Sequence, residues 1–255
     1  MTFRTSAENY DRHIGRYGPA LAPELIAAAG IAAGDRVLDV GCGPGALTAA
    51  LVARLGADHV SAVDPSPPFA KACGERTGAH VQVAGAESLP FADATFDAAL
   101  AQLVVNFMAD APAGAREMAR VTRPGGTVAA AVWDYGGEMT ILRRFWDAVA
   151  ALDPDAGADE SQMRYCTPPE LEALWNDIGL AHVQVSTAVV SARYDGFEDL
   201  WAPLESGVAP SGAYTVSLSP DRRTALKQEF RARLGVGDEP FALTARAWIV
   251  TGRRA

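Results

Sequence analysis

The chain has 255 residues and 49% hydrophobic content, enough to bury a sizeable core, and an α/β domain of this size need not split in two. A formal net charge of −9, with lysine and arginine nowhere gathered into more than pairs, argues against a nucleic acid partner, because a phosphate backbone demands a basic face. Cys42, Cys73 and Cys166 are widely spaced, odd in number and without a CxxC pair, so neither a disulfide framework nor a metal site is indicated and a reducing cytoplasm is expected.

The first dozen residues are polar and carry no export signal. Residues 1–30 are expected to form amino-terminal helices, and within them Asn9 to Gly18 reads NYDRHIGRYG, a segment bearing aromatics and arginines. Val37 to Gly45, VLDVGCGPG, then reads as a buried strand running into a glycine turn. Val37, Leu38 and Val40 supply the strand, while Gly41, Gly43 and Gly45 let the backbone bend sharply and approach a ligand where a Cβ would clash. Ala46 to Leu55 has helix-forming composition. Strand, tight turn and helix N-terminus are the first half of a doubly wound α/β unit, whose ligands sit at the carboxyl ends of the strands.

Gly41, Gly43 and Ala46 also satisfy the dinucleotide fingerprint, so the glycines alone leave nicotinamide and flavin cofactors open. Asp39 favours a cofactor that brings positive charge, since a carboxylate sits poorly beside a pyrophosphate at a helix N-terminus. HVSAVDPS follows, a short apolar strand ending in Asp64, with Pro65 and Ser66 behind it. Asp64 lies 21 residues beyond Gly43, the distance at which an acidic residue after a second strand accepts hydrogen bonds from ribose hydroxyls. Glu87 beside Ala86 and the turn Leu89, Pro90, Phe91 come next. The apolar run from Ala98 to Met108 is too short to span a bilayer, so no membrane partner is expected. Gln102 and Asn106 follow the fourth predicted strand, and RPGG, Arg123 to Gly126, precedes the fifth, TVAAAVW.

In this order and over about residues 10–133, these segments resemble the class I S-adenosylmethionine-dependent methyltransferases. The small-molecule branch related to the ubiquinone-biosynthesis enzymes, methyltransferase type 11, is the nearest likeness. The resemblance implies a doubly wound, seven-stranded, mostly parallel sheet with helical lid insertions. It also implies S-adenosylmethionine as cofactor and methyl transfer to an oxygen, nitrogen or carbon nucleophile of a small molecule. For the cofactor it points to Asp39, Gly41, Cys42, Gly43, Gly45, Asp64 with Pro65 at the ribose, Ala86 and Glu87 near the adenine amine, and Gln102. Arg16 is a candidate partner for the cofactor carboxylate, with a solvated surface arginine as the alternative.

Candidate bases or orienting groups are His13, Tyr17, Tyr135 and Glu138, which flank the amino-terminal segment or follow the fifth strand. Each also has a structural reading, as a packed side chain or a first-turn carboxylate. Asn106, Trp133, Trp146 and Trp201 are candidate walls of an acceptor pocket, although aromatics at helical spacing usually belong to a core and Asn106 also suits a turn cap.

Beyond Trp133, Ile141, Leu142, Phe145, Trp146 and Val149 recur at helical spacing. Asp153 to Glu160 is acidic and predicted to be a mobile surface loop. Thr167, Pro168 and Glu170 form a capping box ahead of Leu171, Leu174, Trp175 and Ile178, with Gly179 as the stop. The sixth strand is expected at HVQVSTAVV from His182, and the antiparallel seventh at FALTARAWIV from Phe241, covered on both faces. Between them lie about fifty residues, including a helical stretch from Asp195 to Leu204 and a capped helix from Ser219 to Leu234, more than a plain connection needs.

The organisation expected is therefore one domain, 1–255, with residues 31–133 as the cofactor-binding half. Residues 134–167 and 188–238 are the acceptor-side elaborations, with Ser191 to Leu218 and Tyr135 to Trp146 as the lid itself. The chain is expected to act as a monomer or homodimer. Two other readings stay open: a noncatalytic S-adenosylmethionine-binding or regulatory protein, and a nicotinamide oxidoreductase, for which no short-chain dehydrogenase tyrosine and lysine pair is evident.

Overall fold

In the computed structural model, which describes residues 11–156, 160, 163–207 and 209–255, seven strands make one sheet. They are β1 (Val37–Val40), β2 (Val60–Asp64), β3 (His80–Val83), β4 (Phe96–Gln102), β5 (Thr122–Trp133), β6 (Ala181–Tyr194) and β7 (Phe241–Arg253). Their order is β3-β2-β1-β4-β5-β7-β6, with β7 antiparallel to both neighbours and the other pairs parallel. Asn9 and Tyr10 of the amino-terminal segment, residues 157–159 of the acidic loop and Val208 of the expected lid lie outside the described residues.

The order reverses beside β1, and that is where a doubly wound sheet opens a crevice at its strand ends. All four residues of β1 are buried, as a central parallel strand with helices on both faces requires. Those helices are α1 (Gly18–Ala28), α2 (Ala46–Leu55), α3 (Pro67–Thr77) and α4 (Ala111–Val121). α2 has the bounds expected from composition. RPGG lies inside β5, where Phe96 pairs with Thr122 but Ala98 pairs with Thr127, so the glycine-bearing stretch bulges out of the ladder.

After β5 come α5 (Thr140–Leu152) and α6 (Pro168–Asp177), then α7 (Phe197–Glu205), α8 (Ala209–Ser217) and α9 (Pro220–Leu234) between β6 and β7. α6 starts where the sequence predicts, but its box closes differently. The Thr167 hydroxyl donates to Glu170 Oε2 at 2.7 Å, and that carboxylate accepts from the Cys166 amide at 3.3 Å. Ser219 Oγ caps α9 by accepting from the Arg222 amide at 3.4 Å.

Three expectations are corrected here. β6 does not stop at Val190: Ser191 pairs with Thr244 and the ladder continues to Tyr194 opposite Phe241, so residues 188–194 are sheet and the elaboration begins at Asp195. β7 is covered on both faces only in its second half. Leu243, Ala245, Ala247 and Ile249 point inward throughout, whereas on the other face Ala242 and Thr244 are exposed and only Val250 and Gly252, which lies against Trp175 and Leu180, are buried. Glu160, at the end of the predicted surface loop, is buried. No helix among the described residues is long and apolar enough to cross a membrane, and none of their carboxylate, histidine and cysteine groups is clustered to hold a metal.

Candidate functional site

The site begins where β1 and β2 end. The Gly41 and Cys42 amides donate to the Val63 carbonyl at 2.8 and 2.9 Å, turning the chain sharply back over β2. Asp64 then ties the two strand ends together: Oδ2 accepts from the Gly43 amide at 2.9 Å and Oδ1 from the Ser66 amide at 2.8 Å. Burial holds this carboxyl above its ordinary pKa, and the two amides partly offset that. Gly41, Gly43 and Gly45 have φ of +74°, +52° and +101°, the left-handed region that glycine enters without strain.

A cavity of about 290 Å³ lies against this turn, with Gly43, Asp64 and Pro65 on one side, and Ala86, Glu87 and Gln102 on the other. Glu87 Oε1 accepts from the Ala109 amide at 2.9 Å and the Asp110 amide at 3.3 Å, which fixes the loop ahead of α4 as the cavity's far edge. A Cβ built on Gly43 meets nothing within 4 Å.

A smaller space of about 40 Å³ opens beside it, bordered by Asp39, Gly41, Cys42 and Gln102 together with Gly15 and Gly18 from the amino-terminal segment. Asp39 is 1% exposed; its Oδ2 accepts from Thr48 Oγ1 at 2.6 Å, whereas Oδ1 is buried without a partner among the described residues. Burial is the main cause that pushes this carboxyl up to about 8. Gln102 Nε2 donates to the Gly18 carbonyl at 3.2 Å, leaving its buried Oε1 unpartnered among the described residues.

A third cavity, about 20 Å³, has His13, Trp133, Tyr135, Glu160 and Pro210 in its walls. Leu103 borders all three spaces. It has φ of +64° and is held there by its amide, which donates to the Ala131 carbonyl at 2.7 Å.

The structure thus gathers Asp39, Gly41, Cys42, Gly43, Asp64, Pro65, Ala86, Glu87 and Gln102 about two adjoining spaces. Gly45 serves packing instead, since a Cβ there would come within 3.0 Å of Cys73 Sγ, and its absence lets α2 close on α3. Arg16 is corrected. Its guanidinium makes a fork with Asp199 of α7 at 2.7 and 2.9 Å, donates to the Arg193 carbonyl at 2.6 Å and stacks over the Tyr194 ring. That geometry spends its donors on the α7 side rather than at the glycine turn.

Of the other candidates, His13, Tyr135 and Trp133 border the small cavity, and Trp133 Nε1 is buried without a partner among the described residues. Tyr17 and Glu138 are corrected. Tyr17 is fully buried, accepts from the Tyr194 hydroxyl at 3.2 Å and is pushed up to about 12, chiefly by burial. Glu138 is 61% exposed and pairs with Arg246 at 2.8 Å, a surface ion pair. Trp146 and Trp201 are core: Trp146 Nε1 donates to Glu160 Oε2 at 2.8 Å, and Trp201 stacks on Phe197. Neither borders any of the three cavities. Asn106 sits inside the 3-10 turn Val105–Phe107 instead of capping it, with its side-chain amide 4.0 Å from Met163 Sδ.

Sequence reasoning missed Phe69, Val104, Met108 and Leu103 as walls, Thr48 as the Asp39 partner, and Glu160. Ser66, which the sequence places behind Asp64 and directly before Pro67 at the first turn of α3, also lines the large cavity.

Residues 38–130 match a family described as a methyltransferase domain. An uncharacterised protein of Mycobacterium tuberculosis is 38% identical over 146 residues, 53% of this chain and 53% of that protein. A malonyl-[acyl-carrier protein] O-methyltransferase of Pseudescherichia vulneris is 34% identical over 148 residues, 58% of this chain and 57% of that protein. The matches thus span about half the length of these curated relatives. Among solved structures, the geranyl diphosphate C-methyltransferase from Streptomyces coelicolor, in complex with Mg2+, geranyl diphosphate and S-adenosyl-L-homocysteine, is similar with a TM-score of 0.52 at 18% identity, covering 92% of this chain and 79% of that one. The seven-stranded sheet with its antiparallel β7 is the class I methyltransferase fold, and residues 38–130 are the part that matches the methyltransferase-domain family.

Proposed function

We propose that the chain is an S-adenosylmethionine-dependent methyltransferase acting on a small molecule. The observation that carries this reading is Asp39, which borders a space next to the open cradle that Gly43 leaves and whose buried Oδ1 has no partner among the described residues. A buried carboxylate oxygen without a donor is costly, and a ligand ammonium removes that cost. The fit extends along the crevice. Asp64 retains lone pairs beyond the two it gives to backbone amides, enough to accept from ribose hydroxyls, while Ala86 and Glu87 border the adenine end and Cys42 and Gln102 the methionine end.

When bound, the cofactor supplies a methyl group already activated on a sulfonium. The chain's own residues then have to hold, orient and dry. Fixing donor and acceptor at attack distance contributes roughly 7–11 kcal/mol where geometry is ideal. Residues 31–133 form the cofactor half. Residues 134–167 and Asp195 to 238 close the acceptor side, tied to the amino-terminal segment through Arg16 and Asp199. The setting we propose is cytoplasmic small-molecule metabolism, as a monomer or homodimer.

A thermal melt tests the reading. At a hundred times its dissociation constant, S-adenosylhomocysteine should add about 2.7 kcal/mol to stability, while oxidised nicotinamide dinucleotide leaves the melting temperature unchanged. Stabilisation by the dinucleotide alone would overturn the assignment.

A further inference from the structure

The small cavity beside Leu103 carries more than its aromatic walls. His13 and Trp133 both border it, and His13 Nδ1 and Trp133 Nε1 are buried and without partners among the described residues. Buried polar atoms are nearly always paired, and two orphans on side chains that line one space point to a ligand that pairs them. Trp133 Nε1 is a donor only. His13 Nε2 lies 3.5 Å from Ser211 Oγ; with the Nε2 proton directed there, Nδ1 keeps its lone pair and is an acceptor. Burial first, and then the charge of Arg16, lower the His13 pKa to about 4, so the ring is neutral near pH 7.

One acceptor atom has to satisfy a donor and an acceptor while still attacking a methyl group. A hydroxyl oxygen does all three: its proton goes to His13, one lone pair accepts from Trp133, and the other attacks. A neutral amine has a single lone pair, which attack consumes, leaving Trp133 unpaired. A carboxylate has no proton for His13 and would meet the carboxylate of Glu160, which is 6% exposed at the same cavity. Ile14, Phe107, Leu142, Tyr135 and Trp133 make the rest of the wall apolar.

Building on the methyltransferase reading, we propose that the acceptor is a small, neutral, aromatic or enolic hydroxyl compound, that His13 receives its proton, and that Trp133 orients its oxygen. The hydroxyl oxygen forms the bond to the methyl carbon as the carbon–sulfur bond breaks, with that electron pair passing to sulfur. The oxygen–hydrogen pair stays on oxygen, and the proton moves to Nδ1, giving an imidazolium that faces the same cavity as Glu160. A weakly basic imidazole suffices, because the hydroxyl becomes strongly acidic as its oxygen is alkylated. The cavity holds little more than a water, and seating the ring requires Phe107, which borders both this space and the large one, to move aside.

The test uses the full chain with 2-naphthol, 2-naphthylamine and 2-naphthoate as probes. In the S-adenosylhomocysteine complex with 15N-labelled histidine, 2-naphthol should bind and shift the His13 Nδ1 resonance, and the naphthoate should not. With S-adenosylmethionine, mass spectrometry should find the naphthol methylated about a hundredfold faster than the amine. His13→Asn should lower that rate about a hundredfold while S-adenosylhomocysteine affinity stays within about threefold. Naphthylamine as the better substrate, an unshifted His13, or a His13→Asn rate within about threefold of the parent overturns the proposal; the wild-type resonance decides even if the variant does not fold. Absence of S-adenosylhomocysteine binding to the parent chain removes the methyltransferase reading, and this proposal with it.

Discussion

Two glycines of one turn should respond to the same substitution in opposite ways. In Gly41→Ala, the new Cβ would lie 2.5 and 2.6 Å from the two Val104 methyls and 3.1 Å from Val104 Cβ, so rotating that side chain does not clear it. A φ of +74° adds about 1–2 kcal/mol for a non-glycine residue, and overpacking about 1–3 more. The expected loss of stability is therefore about 2–5 kcal/mol. In Gly43→Ala the φ cost recurs at +52°, but nothing lies within 4 Å, so the loss stays near 1–2 kcal/mol, roughly the backbone cost alone. The added methyl then occupies space that the cofactor needs, and calorimetry with S-adenosylhomocysteine should show the larger affinity loss at Gly43. Urea unfolding at constant m gives the stabilities. Combining Gly41→Ala with Val104→Ala should recover the overpacking part and not the backbone part. A Gly41→Ala loss under about 1 kcal/mol, or one indifferent to Val104→Ala, would refute the reasoning.

Asp39 makes unliganded stability depend on pH. Its folded pKa of about 8 lies above the ordinary carboxyl value, so its contribution is full in acid below the unfolded pKa and is lost as pH rises towards and through 8. Melting temperatures from pH 5 to 9 without cofactor should fall less steeply for Asp39→Asn than for the parent; equal slopes count against the buried, underpartnered carboxyl. For Arg16→Ala, the loss of the fork to Asp199 should lower stability while S-adenosylhomocysteine affinity stays within about twofold, because both terminal guanidinium nitrogens already pair with Asp199 of α7. A tenfold weaker dissociation constant would instead restore Arg16 to the cofactor.

The glycine turn, Asp64 and the bounds of α2 were legible because their chemistry is local: a strand end, a left-handed backbone and a carboxylate at fixed separation. Arg16 was not, since its partner lies 183 residues away and an arginine fork fits a cofactor carboxylate and an aspartate equally well. Ser191 to Tyr194, SARY, alternate too weakly to announce a strand, and their state is decided by pairing with β7. Trp146 and Trp201 followed the ordinary rule for aromatics at helical spacing, whereas Trp133, at a strand's carboxyl end, reached a cavity. Leucine gives no hint of a left-handed conformation, so the place of Leu103 is set by tertiary structure alone.

That place bears on how such a protein changes its clientele over generations. A side chain that walls three compartments is answerable to each of them, so under the proposed function a volume change at Leu103 is felt by cofactor and acceptor at once. Leu142, Ala209 and Pro210 border the small cavity alone among the three, and their variation reaches one ligand without disturbing the other. Lineages that acquire new acceptors should therefore carry their innovations in α5 and α8, around an inherited leucine that stays as it is.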